Sequence, residues 1–313
     1  MAKIVTLTVN PAIDKSTSAE SVASEIKIRC EKPEFHPGGG GVNVSRAINK
    51  LGGNSTAIYT AGGGSGAMLT SLLQAENIDT HPVSTHERTR ENLTVFETSS
   101  TLQYRFGMPG PTLSDAEWQA CIEAVFSYSP DYIVASGSLA PNMPTDFYTK
   151  LANQARLTTG ENRVIIDTSG AALEACADSH VFLLKPNLRE LEILSGKKFT
   201  SETHILEIAR DLIRDGMAEV FVISMGASGA MMVTADEAVQ MRPPVVPIQS
   251  KVGAGDSMVG GIVWALANGE SLVDATRYGI ASGTAAVMTP GTELCRRDDV
   301  MDIYKRIAVL PVT

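Results

Sequence analysis

A run of small residues, Val252-Gly253-Ala254-Gly255, leads directly into the carboxylate of Asp256. Apolar residues then recur at helical spacing, which predicts a buried helix from Asp256 to Asn268. Because no bulky side chains block the approach, the backbone N–H groups of the run can converge on an anion at the positive end of this helix. A carboxylate there can take a proton from a hydroxyl group while the amides hold a phosphate, an arrangement suited to phosphoryl transfer.

The same residues also have a purely structural explanation. Asp is a common helix N-cap, and a Gly-x-Gly-Asp turn alone fits that role. The choice depends on which other polar residues the fold brings to the same place. One candidate is Asp14, which follows the first predicted strand, Ile4 to Val9, at the end of the sheet where α/β proteins bind ligands. An Asp at that position can equally be a turn former.

Four consecutive glycines, Gly38-Gly39-Gly40-Gly41, precede a predicted helix from Val42 to Leu51. Such a run costs backbone entropy, so we expect it to let a polar ligand lie against the main chain. Asn43 adds an amide that can bind a hydroxyl group. A second glycine segment, Gly62 to Ala67, formally fits the dinucleotide-binding pattern, but the nearest acidic residues fall well short of the expected spacing of about 20 residues. It is therefore a weak indication of a nicotinamide cofactor.

Composition limits the classes of partner. The 313 residues are 43% hydrophobic, enough for one large α/β domain or two smaller ones, and the formal net charge is −9. This acidic balance argues against nucleic acid or an anionic membrane as a partner, so an anionic substrate must be held by a local group of basic residues. Four widely spaced cysteines are typical of free thiols, and neither a leader nor a long apolar run is evident, so we expect a cytoplasmic protein.

A small β layer is predicted to interrupt the α/β pattern. Apolar and basic residues alternate between Ser24 and Phe35, which predicts a strand, and the β-like runs 92–96 and 102–106 predict a hairpin. We expect residues 12–36 and 88–108 to form this layer, here called the lid, within a single domain that spans the whole chain, residues 1–313.

The basic residues of the lid include Lys27, Arg29, Arg90 and Arg105. Any one of them can simply be a solvated surface residue. Together they form the local positive cluster that an acidic protein needs to hold a sugar phosphate.

Beyond the lid, helices alternate with nearly continuous apolar strands, which predicts a mainly parallel sheet covered by helices on both faces. Asn187 and Glu190, three positions apart at a predicted helix start, can face the water shell of one Mg²⁺ ion, although an ordinary helix start explains them as well. The small residues from Met225 to Ala230 suit a phosphate or a nucleotide. Polar or small residues follow four of the strands, at Ser136-Gly137-Ser138, Asp167-Thr168-Ser169, Lys185-Pro186-Asn187 and Ser224-Met225-Gly226.

Two of these segments resemble the signatures of the PfkB sugar-kinase family, the group that includes ribokinase. The first is Gly38 to Ser45, followed by Gly52 and Gly62, and the second runs from Val252 through Asp256 to Val263. The resemblance spans essentially the whole chain. It implies a ribokinase-like, three-layer α/β/α fold with a mainly parallel sheet and a small β-sheet lid, and a homodimer that pairs through the lid.

The resemblance also implies roles for individual residues. Asp256 is the base for the acceptor hydroxyl, and the amides of Gly253, Ala254 and Gly255 form the anion hole. Sugar hydroxyls are held by Asp14, Gly39, Gly40, Asn43 and Ser138, and the sugar phosphate by Arg90, Lys27 and Arg29, the last two from a partner's lid. ATP is bound by Lys185, Asn187, Ser224, Gly226, Gly229 and Lys251, and Mg²⁺ by Asn187 and Glu190. A monovalent-cation loop, for K⁺, comprises Ser250, Val252, Ala286, Thr289 and Gly291.

One residue departs from the family pattern, because Lys251 stands where a Thr or another small residue is usual. Its ammonium group can lie near the transferred phosphate or replace part of the need for K⁺, in which case activity would be nearly insensitive to K⁺. The alternative is a side chain that points to solvent.

Within the family, the match favours members that use ATP to convert fructose 6-phosphate into fructose 1,6-bisphosphate. The matching segments are Lys27 to Cys30, the four glycines, Tyr104 to Gly110 and Val252 to Gly260. Members that act on fructose 1-phosphate or tagatose 6-phosphate commonly have Lys where this chain has Gly40. The alternatives are a kinase for one of those sugar phosphates or for a nucleoside, and a sugar-phosphate sensor without catalytic activity.

Overall fold

Helices and strands alternate along the chain in the computed structural model, which describes residues 2–159 and 163–312. The helices are α1 (Gly40–Lys50), α2 (Gly63–Ala75), α3 (Asp115–Ser127), α4 (Phe147–Thr159), α5 (Ala171–Glu174), α6 (Leu188–Ser195), α7 (Glu202–Arg214), α8 (Ala254–Ala267), α9 (Leu272–Val287) and α10 (Arg297–Arg306). The strands are β1 (Ile4–Thr8), β2 (Ala12–Ala19), β3 (Glu34–Gly38), β4 (Thr56–Ala61), β5 (Asp79–Ser84), β6 (Arg90–Glu97), β7 (Gln103–Phe106), β8 (Tyr132–Ser136), β9 (Val164–Asp167), β10 (Val181–Leu184), β11 (Ala218–Ser224), β12 (Ala230–Val233), β13 (Ala238–Arg242) and β14 (Ala308–Pro311).

The larger sheet has ten strands, in the order β14-β13-β12-β11-β10-β9-β8-β1-β4-β5. Neighbouring strands from β11 to β5 are parallel, whereas β12, β13 and β14 extend one edge in antiparallel pairs. Every residue of β1 and β8 is buried. The predicted mainly parallel sheet is therefore confirmed, with its continuous apolar strands at the centre.

Helices cover both faces of this sheet, which produces the three-layer α/β/α arrangement. One core includes Phe147 and Leu151 of α4. The core on the opposite face includes Ile48 of α1, Val259 of α8 and Ile280 of α9. Since α1 and α8 lie in the same layer, the two glycine-rich segments that precede these helices are brought to the same end of the sheet.

The smaller sheet has four strands in the order β3-β2-β6-β7. The predicted hairpin is confirmed, since β6 and β7 are antiparallel and Leu93 pairs with Phe106. The middle pair, β2 and β6, is parallel. This sheet is built from two separate parts of the chain and adjoins the end of β1.

The strand predicted between Ser24 and Phe35 is wrong for most of its length. Residues 21–33 are irregular apart from one bridge between Cys30 and Ala19. Glu25 has a φ of 60°, which interrupts an extended chain, and Ile26 is 63% exposed. An alternating pattern forms a stable strand only where its apolar face is covered, and this segment has no such cover.

No helix among the described residues combines the length and apolar character needed to cross a bilayer.

Candidate active site

The N-terminus of α8 begins with a left-handed glycine. Gly253 is the N-cap residue, with φ 74° and ψ 5°, so the structural alternative in which Asp256 caps this helix is wrong. Any side chain here would be strained, and a Cβ on Gly253 would lie 2.3 Å from Leu294 Cδ2. The first intrahelical hydrogen bond runs from the Ser257 N–H to the Gly253 carbonyl, at 2.8 Å. The amides of the preceding turn have no partner within the helix, as an anion hole requires.

Asp256 lies in the first turn of α8 and contacts α1. Its Oδ2 accepts a hydrogen bond of 2.9 Å from Asn43 Nδ2, which joins the two glycine-led helices. Burial raises the pKa of Asp256 to about 7, with a further contribution from the Asp167 carboxylate, while the Asn43 bond and Lys185 oppose the shift. A carboxylate with a pKa near neutrality is suited to accept a proton from an alcohol.

Lys185 and Asp167 form a buried ion pair at the ends of neighbouring strands, β10 and β9. Lys185 Nζ lies 3.1 Å from Asp167 Oδ1, and Lys185 is 7% exposed. Burial opposes the charge of Lys185, but the nearby carboxylates, Asp167 first among them, outweigh it and raise the pKa of Lys185. A Cβ on Gly255 would lie 3.6 Å from Lys185 Nζ. The ammonium group is therefore next to the anion hole, where a phosphate would meet both.

Asp167 was not among the predicted site residues. Its only signal in the sequence was its position in the polar segment that follows an apolar strand. The pairing with Lys185 requires that β9 and β10 are neighbours in the sheet and that Ile165 lies opposite Leu183. That register is not evident from the sequence.

Asp14 belongs to the smaller sheet. It lies within β2 and not in a turn after β1, so the turn-former alternative is wrong. Its Oδ1 accepts a hydrogen bond of 2.9 Å from the Nδ2 of Asn92, which was not among the predicted site residues. Asp14 and Asn92 line a cavity of about 360 Å³ together with Val252 and Gly291, which belong to the predicted monovalent-cation loop. This volume is in the usual range for a small-ligand site.

The glycine run brings α1 against the ends of two strands. A Cβ on Gly40 would lie 2.3 Å from Ser136 Oγ, and one on Gly41 would lie 2.6 Å from the Leu7 carbonyl oxygen. Gly39, the N-cap residue of α1, has a φ of 115°. Close packing against β1 and β8 therefore accounts for Gly40 and Gly41, and the direct ligand contact that we expected of the glycine run stays a prediction. The packing places Asn43 at Asp256.

Arg90 is bonded to main-chain carbonyls. It donates to Asn10 at 3.0 Å, to Met108 at 3.2 Å and to Pro11 at 3.4 Å, and burial lowers its pKa. It therefore ties the lid to the end of β1. The predicted Ser138 lies beside it, where Ser138 Oγ accepts a hydrogen bond of 3.2 Å from Asn10 Nδ2.

The other two basic residues of the predicted phosphate site lie apart. Lys27 and Arg29 are exposed in the irregular segment between β2 and β3. Within the described part of the chain, no hydrogen bond or ion pair joins either of them to Asp14, Asn43 or Asp256. Their predicted role therefore depends on a partner's lid.

The predicted nucleotide residues come from two adjacent loops. Asn187 and Ser224 form a parallel bridge, and the Ser224 N–H donates to the Pro186 carbonyl at 2.9 Å. A short 3-10 turn then follows β11 between Gly226, with a φ of 59°, and Gly229, with a φ of 89°. The structure thus brings the segment after β10 and the small-residue turn together at the carboxyl end of the sheet.

Asn187 and Glu190 form a reciprocal cap at the start of α6. The Asn187 N–H donates to Glu190 Oε2 at 2.8 Å, and the Glu190 N–H donates to Asn187 Oδ1 at 2.9 Å. The ordinary helix start is thus confirmed, and Glu190 keeps its second carboxylate oxygen for another contact. In the described residues no cluster of three or more His, Cys, Asp or Glu side chains could hold a metal. A single carboxylate fits Mg²⁺ that is held mostly by water and phosphate oxygens.

The predicted monovalent-cation residues lie in two adjoining loops. The Ser250 N–H donates to the Val287 carbonyl at 3.3 Å, and Ser250 Oγ accepts from the Val252 N–H at 3.2 Å. Thr289 Oγ1 donates to the Ala286 and Leu294 carbonyls, each at 2.8 Å. Main-chain carbonyls and hydroxyls in such loops are ligands that fit an alkali-metal ion.

Lys251 lies between these residues and is exposed. This position favours the alternative in which its side chain points to solvent.

Comparison with known proteins agrees with this geometry. Residues 4–299 match the model of the pfkB family carbohydrate kinases. The ATP-dependent 6-phosphofructokinase isozyme 2 of Escherichia coli (strain K12) is 42% identical over 306 residues, which cover 97% of this chain and 98% of the relative. The 1-phosphofructokinase of Borreliella burgdorferi is 30% identical over 308 residues, with 98% of each chain covered.

Solved structures of phosphofructokinase-2 from Escherichia coli share the whole fold. The complex with potassium has a TM-score of 0.92 at 41% identity, and covers 98% of this chain and 99% of that chain. The tetrameric inhibited form has a TM-score of 0.90 at 40% identity, with the same coverage. From its sequence, its fold and the residues gathered around Asp256, the chain belongs to the pfkB family of carbohydrate kinases.

Proposed function

We propose that this chain transfers the terminal phosphate of ATP to the 1-hydroxyl group of fructose 6-phosphate and forms fructose 1,6-bisphosphate. One observation carries the proposal: at the head of α8, a carboxylate with a pKa of about 7 lies beside backbone amides that have no partner within the helix, and beside a buried ammonium group. A sensor protein without catalytic activity has no need of such a base. The 42% identical relative from Escherichia coli carries the same activity in its name.

In this mechanism Asp256 removes the proton from the acceptor hydroxyl as its oxygen bonds to the terminal phosphorus. The bond from that phosphorus to the bridging oxygen of ATP breaks, and ADP leaves. The amides of Gly253, Ala254 and Gly255 donate to the oxygens of the transferring group, and the Lys185 ammonium lies beside them. Asn43 holds the Asp256 carboxylate in place through its bond of 2.9 Å.

The family implies ATP and Mg²⁺ as cofactor and metal. Bound Mg²⁺ supplies positive charge that neutralises the phosphate oxygens. Asn187 and Glu190 would hold it, and Lys185, Ser224, Gly226 and Gly229 would hold the nucleotide.

On the acceptor side, Asp14, Gly39, Asn43 and Ser138 would bind the sugar hydroxyls. The substrate preference follows from Gly40. A Cβ at this position would lie 2.3 Å from Ser136 Oγ and 2.7 Å from the Gly137 nitrogen, so the local backbone has no room for a lysine. This supports fructose 6-phosphate as the substrate, with its phosphate held by Arg90 and by Lys27 and Arg29 from a partner.

We also propose a homodimer that pairs through the lid. The lid and its connections expose large apolar side chains, namely Ile26, Phe96, Leu102, Phe106 and Met108. Such a group of exposed apolar residues is typical of a protein interface. A tetrameric form is known for the Escherichia coli relative, which supports self-association.

A coupled assay of ADP release tests the proposed activity. The acceptors are fructose 6-phosphate, fructose 1-phosphate, tagatose 6-phosphate and a nucleoside, each with ATP and Mg²⁺ in K⁺ or in Na⁺. We expect the highest kcat/KM with fructose 6-phosphate, and activation by K⁺ because Lys251 is exposed and leaves the adjoining loops open to a cation. A higher kcat/KM for another acceptor would reassign the substrate, and no ADP release with any acceptor would favour a sensor.

A further inference from the structure

Arg46 is a buried cation within 3.2 Å of a proposed site residue, and the proposed mechanism does not use it. It lies on α1, three positions after Asn43, and is 2% exposed. Its guanidinium group forms a two-point ion pair with Glu76, in which Nε lies 2.9 Å from Oε2 and Nη2 lies 2.8 Å from Oε1. Burying a charge is costly, and the Glu76 pair neutralises it, so the remaining nitrogen is free for another task.

That remaining nitrogen, Nη1, contacts Asn43, one of the proposed sugar-binding residues. It donates to Asn43 Oδ1 at 3.2 Å, and it lies 3.3 Å from both the Pro37 and the Thr292 carbonyl oxygens. Pro37 immediately precedes the glycine run, and Thr292 follows the predicted monovalent-cation loop. One guanidinium group therefore joins Asn43 of α1 to the segment before the glycine run and to the segment after the predicted monovalent-cation loop.

The bond to Asn43 determines which way its amide points. Arginine has only donors, so the atom that faces Arg46 must be the amide oxygen. The amide nitrogen is then directed at Asp256 Oδ2, to which it donates at 2.9 Å. If the amide were reversed, its oxygen would lie against the Asp256 carboxylate, which would favour the protonated form and remove the base.

We infer that Arg46 is a positioning residue that fixes the Asn43 amide and thereby keeps the Asp256 carboxylate ionised and correctly directed. This inference rests on the proposed role of Asp256 as the base. Arg46 touches neither substrate nor nucleotide in this account. Its effect on the reaction passes through Asn43.

The test measures kcat, the sugar KM and the pH dependence of kcat/KM for two variants that alter the same contact from opposite sides. Arg46→Lys keeps the charge opposite Glu76 but loses the planar fork that reaches Asn43. Asn43→Asp keeps an acceptor for Arg46 but presents an oxygen to Asp256. Because the Asn43 bond lowers the pKa of Asp256, we expect the acidic limb of kcat/KM to move to higher pH in both. We expect kcat to fall about 10- to 100-fold.

Two controls separate positioning from general destabilisation. Asn49 lies on the same helix and donates to the Glu76 carbonyl at 2.8 Å, with no bond to Asn43 or Asp256. Asn49→Ala should lower the melting temperature without moving the acidic limb. In an Asn43→Ala background, Arg46→Lys should cause no further shift, since its route to the base is gone.

The outcomes distinguish the inference from the proposed function. If Arg46→Lys and Asn43→Asp lower only the melting temperature and leave the acidic limb in place, the inference is wrong, even when Asp256→Asn abolishes turnover. An unmoved limb in Asn43→Asp is decisive on its own if Arg46→Lys does not fold. If Asp256→Asn keeps normal turnover, the proposed base itself is wrong.

Discussion

Asp256 and Asp167 are two carboxylates in one region whose surroundings give them different roles. Asp167 pairs with Lys185 at 3.1 Å, whereas the one direct partner of Asp256 among the described residues is the amide of Asn43. Burial, and then the charge of Asp167, raise the pKa of Asp256 to about 7. Asp167 thus holds the ammonium group of Lys185, and Asp256 can exchange a proton near neutral pH.

The pH profile tests this division. We expect kcat/KM for the sugar phosphate to rise with pH through about 7, as Asp256 of the substrate-free enzyme loses its proton. Asp167→Asn removes a negative charge that raises this pKa, so its acidic limb should lie at lower pH than that of the wild type. Asp236→Asn, which makes the same charge change at an exposed residue, should leave the limb unmoved. A limb that stays in place in Asp167→Asn would contradict the assignment.

The residues that the sequence predicted are those whose neighbours along the chain carry a pattern. Asp256 follows a run of small residues, and Asn43 follows four glycines. Arg46, Asp167 and Asn92 were missed because their roles depend on contacts between distant segments. The bond between Asn92 and Asp14, for example, spans 78 residues. A buried polar residue has no local signature, so only the fold identifies its partner.

At the level of elements, the glycine run acts through packing. Gly40→Ala should displace the start of α1, because a Cβ would lie 2.3 Å from Ser136 Oγ. We expect kcat to fall about 10- to 100-fold as Asn43 moves away from Asp256. Gly64→Ala is the matched control, since a Cβ on this helical glycine meets nothing within 4 Å, and it should keep normal activity. Equal activity in the two variants, measured with fructose 6-phosphate, would contradict the packing account.

The lid provides a second prediction at this level. Ile26 and Leu102 are 63% and 56% exposed on the lid. Ile26→Glu and Leu102→Glu each place a charge among its exposed apolar side chains. We expect sedimentation velocity to show monomers, with a raised KM for fructose 6-phosphate because Lys27 and Arg29 of the partner are lost. Leu157→Glu changes an 86% exposed leucine on α4 and should leave the dimer intact. Dimers in all three variants would place the interface elsewhere.

The elements predicted with success are those with continuous apolar strands. The central strand β8 belongs to the parallel sheet that the sequence predicts, because a strand buried on both faces has a strong apolar signal. The lid was harder. Its true strands β2 and β3 contain Asp14, His36 and glycine, and the more regular alternation of residues 25–30 belongs to an irregular segment. A partly exposed sheet offers less apolar signal than a sheet that is buried on both faces.

At the level of the whole molecule, the buried carboxylate of Asp256 lowers the free energy of unfolding when it is ionised. The folded protein holds Asp256 with a pKa of about 7, above the ordinary value of 3.8, so above neutral pH the ionised carboxylate destabilises the fold. Asparagine carries no charge at any pH. Asp256→Asn should therefore gain up to about 4 kcal/mol over the wild type at pH 8, and this gain should disappear below about pH 4.

Urea unfolding at the two pH values measures this difference, with Asp236→Asn as the control for a surface carboxylate. A gain in stability that is the same at both pH values would contradict the raised pKa. Loss of stability at pH 8 would show that Asp256 is held mainly by favourable contacts in the fold.

The turnover of Asp256→Asn tests the central claim most directly. The substitution keeps the shape of the side chain and its contact with Asn43, and removes the negative charge and with it the ability to accept a proton. With saturating ATP, Mg²⁺ and fructose 6-phosphate, kcat should fall about 10³-fold or more, while the sugar KM stays within about threefold of the wild type. Turnover close to that of the wild type would contradict the account.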